Sequence, residues 1–266
     1  MIWHDLECGS YVADLPLWRE LAAAPGAQAA APGAQAAAPG AQAAAPGAHA
    51  VLDIGAGTGR VALDLAHRGH RVTAVEHDAE LLRALRERAA AMGLQALEPV
   101  CADARALALA RTDYELCIVP MQTIQLFGGA AGRTAFLRGA RAHLAVGGVL
   151  ACAIVTDVEP FDCAAADVGP TAEVAHVDGA SYISRATRVH VGRSTLRIER
   201  ERTIVPAPGA ASNHAPTLEH DAVELDRLSV ARLQREGRQA GLTVLDTRAI
   251  PATDEHEGSV AVIFRA

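Results

Sequence analysis

The chain contains no lysine; all 24 basic residues are arginine. That absence excludes a P-loop lysine, a lysine Schiff base and a lysine general base. Aromatics are scarce, with two Trp, three Tyr and four Phe in 266 residues. A core must therefore be packed mainly by Leu, Val, Ile and Ala. Basic residues never cluster into a run, and the net charge is −7. Phosphate contacts supply most nucleic-acid affinity, so no nucleic-acid partner is expected. The longest apolar stretch, 146–155, is far shorter than the ~20 residues a membrane span needs, and no membrane partner is expected. The first seven residues lack the basic and apolar segments of a signal peptide, which points to a cytoplasmic location. The five cysteines form no C-x-x-C pair. Cys101, Cys117 and Cys152 fall in apolar runs and read as small buried side chains of a reducing compartment, not as metal ligands. Neither a His-Glu-x-x-His metal motif nor a Gly-x-Ser-x-Gly elbow occurs. No metal site is expected and no catalytic nucleophile is identified. The bias toward Ala, Arg, Gly and Pro suggests a GC-rich, bacterial genome.

Residues 22–49 repeat a unit of seven: Ala-Ala-Ala-Pro-Gly-Ala-Gln three times, then the same unit ending in His49. A Pro-Gly pair in every unit breaks a helix before two turns form, and each unit is too weakly apolar to repay its ordering. The segment is expected to be a low-complexity surface loop between a helix over 15–23 and the first strand. Repeat expansion explains it; a spacer or partner-binding role is the alternative.

The informative segment is 51–60. An apolar run reads as a buried strand, a glycine-rich turn follows, and Val61, Ala62, Leu65 and Ala66 share one face of a helix. Such a crossover builds a nucleotide-sized pocket at the carboxyl end of a parallel sheet. The next apolar run, 72–75, ends in Glu76, placed to hold ribose hydroxyls. A dinucleotide fingerprint needs Gly-x-Gly-x-x-Gly, but Arg60 stands at its third glycine. Asp53 precedes the turn, where its charge opposes a pyrophosphate and suits an ammonium or sulfonium.

The run Asp53, Ile54, Gly55, Ala56, Gly57, Thr58, Gly59 resembles motif I of the class I S-adenosylmethionine-dependent methyltransferases. The resemblance implies an α/β fold: a doubly wound, mostly parallel, seven-stranded Rossmann-like sheet with its last strand inserted antiparallel. It implies S-adenosyl-L-methionine as cofactor and a small-molecule acceptor. By the same resemblance, Gly55, Gly57 and Gly59 bring backbone to the cofactor's methionine part, Ala56 between them belongs to the cofactor site, and Asp53 meets the cofactor's amino group. Glu76 and its neighbour His77 lie at the ribose, Asp103 and Ala104 at the adenine, and Pro120 follows the motif IV strand, 114–119, within which Glu115 stands where many relatives carry Asp. Asp103 also reads as an N-cap for the turn after it.

The remaining elements extend the alternation. A helix over 79–92 buries Leu81, Leu85, Ala89 and Met92, and Gly93 ends it. Further strands are expected over 95–101, 146–155, 242–250 and 259–265, and helices over 130–144 and 229–240. The order fits right-handed crossovers in one domain, 1–266. Residues 156–228 form an insertion with strands over 182–191 and 195–205 joined at Gly192-Arg193, and a third over 218–228. This insertion reads as a β-rich cap over the acceptor, or as a dimerisation surface. Its arginines interleave with Glu199 and Glu201 as an ion-pair ladder. Gln122, Thr123 and Gln125 either line the acceptor pocket or cap the helix that follows. Trp3 and Tyr11 either fold over the cofactor or pack in the core, with Tyr11 an acceptor-site candidate. His4, His214 and His256 are the histidines whose segments border the pocket; none is assigned as a base. The chain is expected to be a monomer or homodimer. A cofactor-sensing module without turnover and an NAD-linked oxidoreductase are the competing readings.

Overall fold

The structure, a computed structural model, describes residues 1–24, 47–163, 170–207, 215–253 and 256–266. Most of the repeat, 25–46, and His214 lie outside the described residues. Strand β1 (Ala50–Ile54) is buried at every position, as a central strand covered on both faces must be. It pairs in parallel with β2 (Arg71–Glu76) and with β4 (Tyr114–Val119). Beyond β2 lies β3 (Leu97–Cys101), and beyond β4 lies β5 (Leu144–Ile154). The last strand in sequence, Ser259–Arg265, runs antiparallel between β5 and Thr243–Ile250. The result is a seven-stranded sheet in which those two closing strands form the edge farthest from β3.

Side-chain alternation sends the strands into two cores. One face packs Val51, Val72, Leu116 and Val149 against α2 (Leu15–Ala23), α3 (Arg60–His67) and α4 (Ala79–Ala91). The other packs Leu52, Cys117, Leu150 and Phe264 against α5 (Gly129–His143) and the helix Val230–Gln239. Trp18, fully buried, donates Nε1–H to Asp14 at 2.8 Å. Asp14 also accepts two hydrogen bonds from Arg60, at 2.5 and 2.8 Å.

A second, antiparallel sheet grows out of the segment after β5. Its members are β6 (Phe161–Asp162), β7 (Glu173–Val177), β8 (Ala180–Val191), β9 (Thr195–Val205) and β10 (Thr217–Asp226). Ion pairs such as Arg188 with Asp162 and Arg185 with Glu201 lace it. β10 is tied back to the main sheet by a buried cluster. Arg133 of α5 pairs with Glu236 at 2.7 Å and with Asp226 at the end of β10. No helix among the described residues is long and apolar enough to cross a membrane.

Several local expectations are corrected. Cys101 is exposed, because β3 is the sheet's edge. The buried stripe of α4 is Leu82, Ala84, Leu85 and Ala89; Leu81 is turned away and Met92 is 49% exposed. The α4 stripe rotates because the helix packs against its neighbours along i, i+3, i+7 positions from Leu82. The β8–β9 connection spans 192–194, closed by Gly192 N–H to the Thr195 carbonyl at 2.9 Å. Two further strands, β6 and β7, were invisible in the sequence because β6 is two residues long and β7 turns the apolar Val174 outward and the charged Glu173 inward.

Candidate active site

The carboxyl ends of β1, β2, β3 and β4 converge on the glycine loop. Gly55 and Gly57 have φ of +70° and +57°, a conformation that side chains resist. A Cβ on either would collide, with the Thr123 side chain at Gly55 and with the His4 ring at Gly57. The loop is pinned to β2: Gly55 and Ala56 N–H groups reach the Val75 carbonyl at 2.9 and 3.1 Å. Gly59 is the left-handed residue that starts α3, and Arg60, following it, is held by Asp14 and by the Tyr11 carbonyl at 2.7 Å. Arg60 is thereby committed to the N-terminal scaffold.

Glu76 ends β2 and is 5% exposed. Its Oε2 accepts from Gly57 N–H at 2.9 Å, and its Oε1 from the N–H groups of His77 and Asp78 at 2.8 and 3.0 Å. The exposed His77 ring lies 2.9 Å from the same oxygen. Glu76 therefore ties the glycine loop to the β2–α4 turn.

Asp53 is 1% exposed, and neither carboxylate oxygen has a hydrogen-bond partner among the described residues. The Ala62 N–H in the first turn of α3 faces it but closes no full bond. Burial pushes its pKa up to about 7, against the opposing pull of Arg60. An unpaired buried carboxylate is costly and fits a cationic ligand group delivered to the loop.

Asp103 follows β3 and is exposed. It caps Arg105 N–H at 2.8 Å and pairs with the Arg105 guanidinium, which holds its carboxyl down at about 2. Ala104 begins the short 3-10 turn beside it. Pro120, buried, follows β4 directly, and Met121 after it takes a φ of +53°. A non-glycine residue in that region marks a constrained loop, and Thr123, two residues on, stands with its side chain against Gly55. Thr123 donates to the Pro120 carbonyl at 3.0 Å.

Gln125 is not placed as a pocket-lining group. Its amide accepts from Val155 N–H at 2.8 Å and donates to the Val155 and Asp226 carbonyls at 3.2 and 2.9 Å, so both its ends are spent on backbone. Glu115 is likewise remote from the cleft. It opens β4 at the opposite sheet edge, accepting from Ala50 N–H at 2.9 Å and contacting His49 at 2.8 Å. Tyr11 packs against the His256 ring, centroids 4.8 Å apart, on the α3 side. Trp3 meets Tyr182 of β8 edge-on at 5.3 Å.

Four residues with no sequence signal of their own complete the site: Asp5, Glu7, Arg88 and Arg202. The helical turn Ile2–His4 runs on into a wider turn, Asp5–Gly9, and this strap crosses the carboxyl edge of the sheet. Asp5 accepts from Thr58 Oγ1 at 2.7 Å and pairs with Arg88 at 2.6 Å. Glu7 pairs with Arg202 at 2.8 Å and accepts from Ser184 at 2.7 Å. Burial works against both charges, but the arginines outweigh it and hold both carboxyls low.

Residues 51–148 match the family model described as a methyltransferase domain. No curated protein matches the chain. The fold is similar to that of the sugar N-methyltransferase KedS8 from Streptoalloteichus sp ATCC 53650, at a TM-score of 0.69 and 17% identity, covering 100% of this chain and 92% of that one. It is similar to SAM-bound CalS10, an amino pentose methyltransferase from Micromonospora echinaspora, at 0.68 and 16% identity, covering 100% and 97%. An S-adenosylmethionine-dependent methyltransferase from Clostridium acetobutylicum ATCC 824 shares the fold at 0.65 and 12% identity, covering 99% and 96%.

Proposed function

We propose that this chain is a class I methyltransferase that uses S-adenosylmethionine to methylate a small-molecule acceptor beneath the antiparallel cap, a reading supported by the methyltransferase-domain match over residues 51–148 and by the strand order of the sheet. The observation that carries the reading is Asp53: a buried, unpartnered carboxylate beside a glycine cradle. A pyrophosphate would be repelled there, whereas an amino acid ammonium is attracted. The third-glycine position of a dinucleotide loop is taken by Arg60, locked to Asp14, which disfavours an NAD-linked reaction.

When bound, S-adenosylmethionine supplies a methyl group on a sulfonium, open to in-line displacement. The chain's own residues bind, orient and exclude water. Asp53 holds the ammonium end, and Gly55 and Gly57 let the ligand lie against backbone. Glu76 holds the ribose diol by exchanging some of its backbone donors for hydroxyls, and Asp103 and Ala104 border the base. Met121, Gln122 and Thr123 form the rim where the acceptor meets the methyl. The strap and β8 shut out water, and proximity in a dry site supplies the rate. The sugar and amino pentose substrates in the names of similar structures support a sugar-sized polar acceptor, with an amino nitrogen as the attacked atom. The arginine-only, alanine-rich composition supports a bacterial origin.

The test has two arms. S-adenosylhomocysteine should raise the melting temperature and NAD should not; the reverse result sinks the reading. Radiolabelled methyl should then transfer to a member of an amino-sugar panel. A cofactor sensor without turnover would bind but transfer nothing.

A further inference from the structure

The strap that covers the glycine loop is built to come off. Residues 2–8 are each half-buried and none is fully buried. Its attachments are polar and lie on opposite sides: Asp5 grips Thr58 and Arg88 of the main sheet, Glu7 grips Ser184 and Arg202 of the cap. Aromatic contacts add to the cap side, where Trp3 meets Tyr182 and the Arg202 guanidinium lies 5.5 Å from the Trp3 ring centre. The lack of a fully buried side chain and the partly exposed Asp5–Arg88 pair place the strap below the anchored core in local stability. The residues that follow are the reverse. Tyr11, Asp14, Leu15 and Trp18 are all buried, so the strap hangs from a rigid anchor.

His4 is the strap's point of contact with the cradle. Its ring stands against Gly57, in the space a single added methyl would need. Its Nδ1 is buried without a hydrogen-bond partner among the described residues. Burial holds the imidazole below its ordinary value, so it sits there as an uncharged ring that fills space without satisfying its own polarity. A groove of about 540 Å³ runs beside the strap, lined by Ile2, Asp5 and Leu6, by Arg88, and by Glu173 and Val174 of β7. The strap is therefore not packed on every side.

We propose that in the ligand-free chain His4 is a plug seated in the cofactor cradle, and that the cofactor enters only when the Asp5 and Glu7 clasps release the strap. This rests on the S-adenosylmethionine reading of the site. The plug lowers apparent affinity by the fraction of time it is seated. Because Glu7 fastens the strap to the cap, loading the cofactor and loosening the cap over the acceptor are one event.

The experiment follows S-adenosylhomocysteine binding by stopped-flow tryptophan fluorescence, Trp3 reporting on the strap. In the wild type the observed rate should level off with rising ligand, because strap opening limits it. His4→Ala should raise or abolish that plateau and tighten the equilibrium constant several-fold. Glu7→Gln should raise the plateau with the imidazole intact. Weaker binding in His4→Ala means that the ring contacts the bound ligand, and overturns the plug. So does a plateau unchanged in both variants, or a linear rate of equal slope in all three proteins. Calorimetry separates the two levels: no heat from any of the three proteins refutes the cofactor reading itself, whereas normal heat with unaltered kinetics refutes the gate alone.

Discussion

Replacing Asp53 by asparagine should make the ligand-free protein more stable while weakening its cofactor binding. The side chain is buried with no hydrogen-bond partner for either oxygen, and its pKa is pushed from 3.8 up to about 7. The sign follows from proton linkage. A raised folded-state pKa means that the folded chain holds the proton more tightly than the unfolded one. Its contribution to stability is fully present below pH ~4, is lost progressively as pH rises, and is gone above ~7. The loss is about 1.4 kcal/mol per pH unit across that window, or about 4 kcal/mol in all. Asparagine has nearly the same shape and cannot ionise. The stability of wild type minus variant should therefore fall by about 2–3 kcal/mol between roughly pH 5 and pH 8. Urea unfolding of both proteins at the two pH values measures it, and the comparison cancels the other carboxylates, several of which titrate in the opposite sense. Saturating S-adenosylhomocysteine should flatten the difference, because an ammonium beside Asp53 stabilises the ionised form. Parallel profiles for the two proteins would show that the Asp53 charge is already compensated in the free chain, and the electrostatic argument for the cofactor would fail with it.

Two further substitutions test the scaffold. Glu76→Gln keeps one acceptor oxygen of two and should weaken S-adenosylmethionine binding by about 1–3 kcal/mol, the cost of charge-assisted hydrogen bonds; unchanged calorimetric affinity removes Glu76 from the site. Arg133→Met strands Asp226 and Glu236 with no guanidinium, and should lower unfolding stability by about 3–5 kcal/mol. A loss below ~1 kcal/mol in urea unfolding would show the cluster to be solvated.

The crossover was legible because three local rules agree there: a buried run, glycines where φ must be positive, and an acid at the end of the next strand. The doubly wound order followed from the same alternation. What the sequence hid is tertiary. Gln125 and Thr123 are two residues apart on one turn, and nothing local says that Gln125 turns inward to the Val155 and Asp226 backbone while Thr123 stands against Gly55. Glu115 sits in the expected strand, but at its amino end, and strand direction places it a sheet's height from the cleft. Cys101 is exposed only because no strand follows β3 at that edge, which composition does not reveal. Asp5 and Glu7 carry no motif; their roles come from Arg88 and Arg202, far away in sequence.

The two attachments of the cap differ in kind. On one side β10 returns through Asp226 to Arg133, whose side chain is 1% exposed and also holds Glu236. Gln125 adds bonds from the post-β4 loop to the same strand end. Breaking that side would expose unpaired charges in a dry cluster, which is strongly unfavourable. On the other side the cap meets the rest of the chain through Glu7 and Arg202, side chains 12% and 18% exposed, and through Trp3. The difference lies in the arginine: Arg133 is sealed and shared between two carboxylates, whereas Arg202 keeps some contact with water and lies against the half-buried Trp3. Removing Arg133 therefore strands two acids at once, and removing Arg202 leaves Glu7 with Ser184 as a remaining donor.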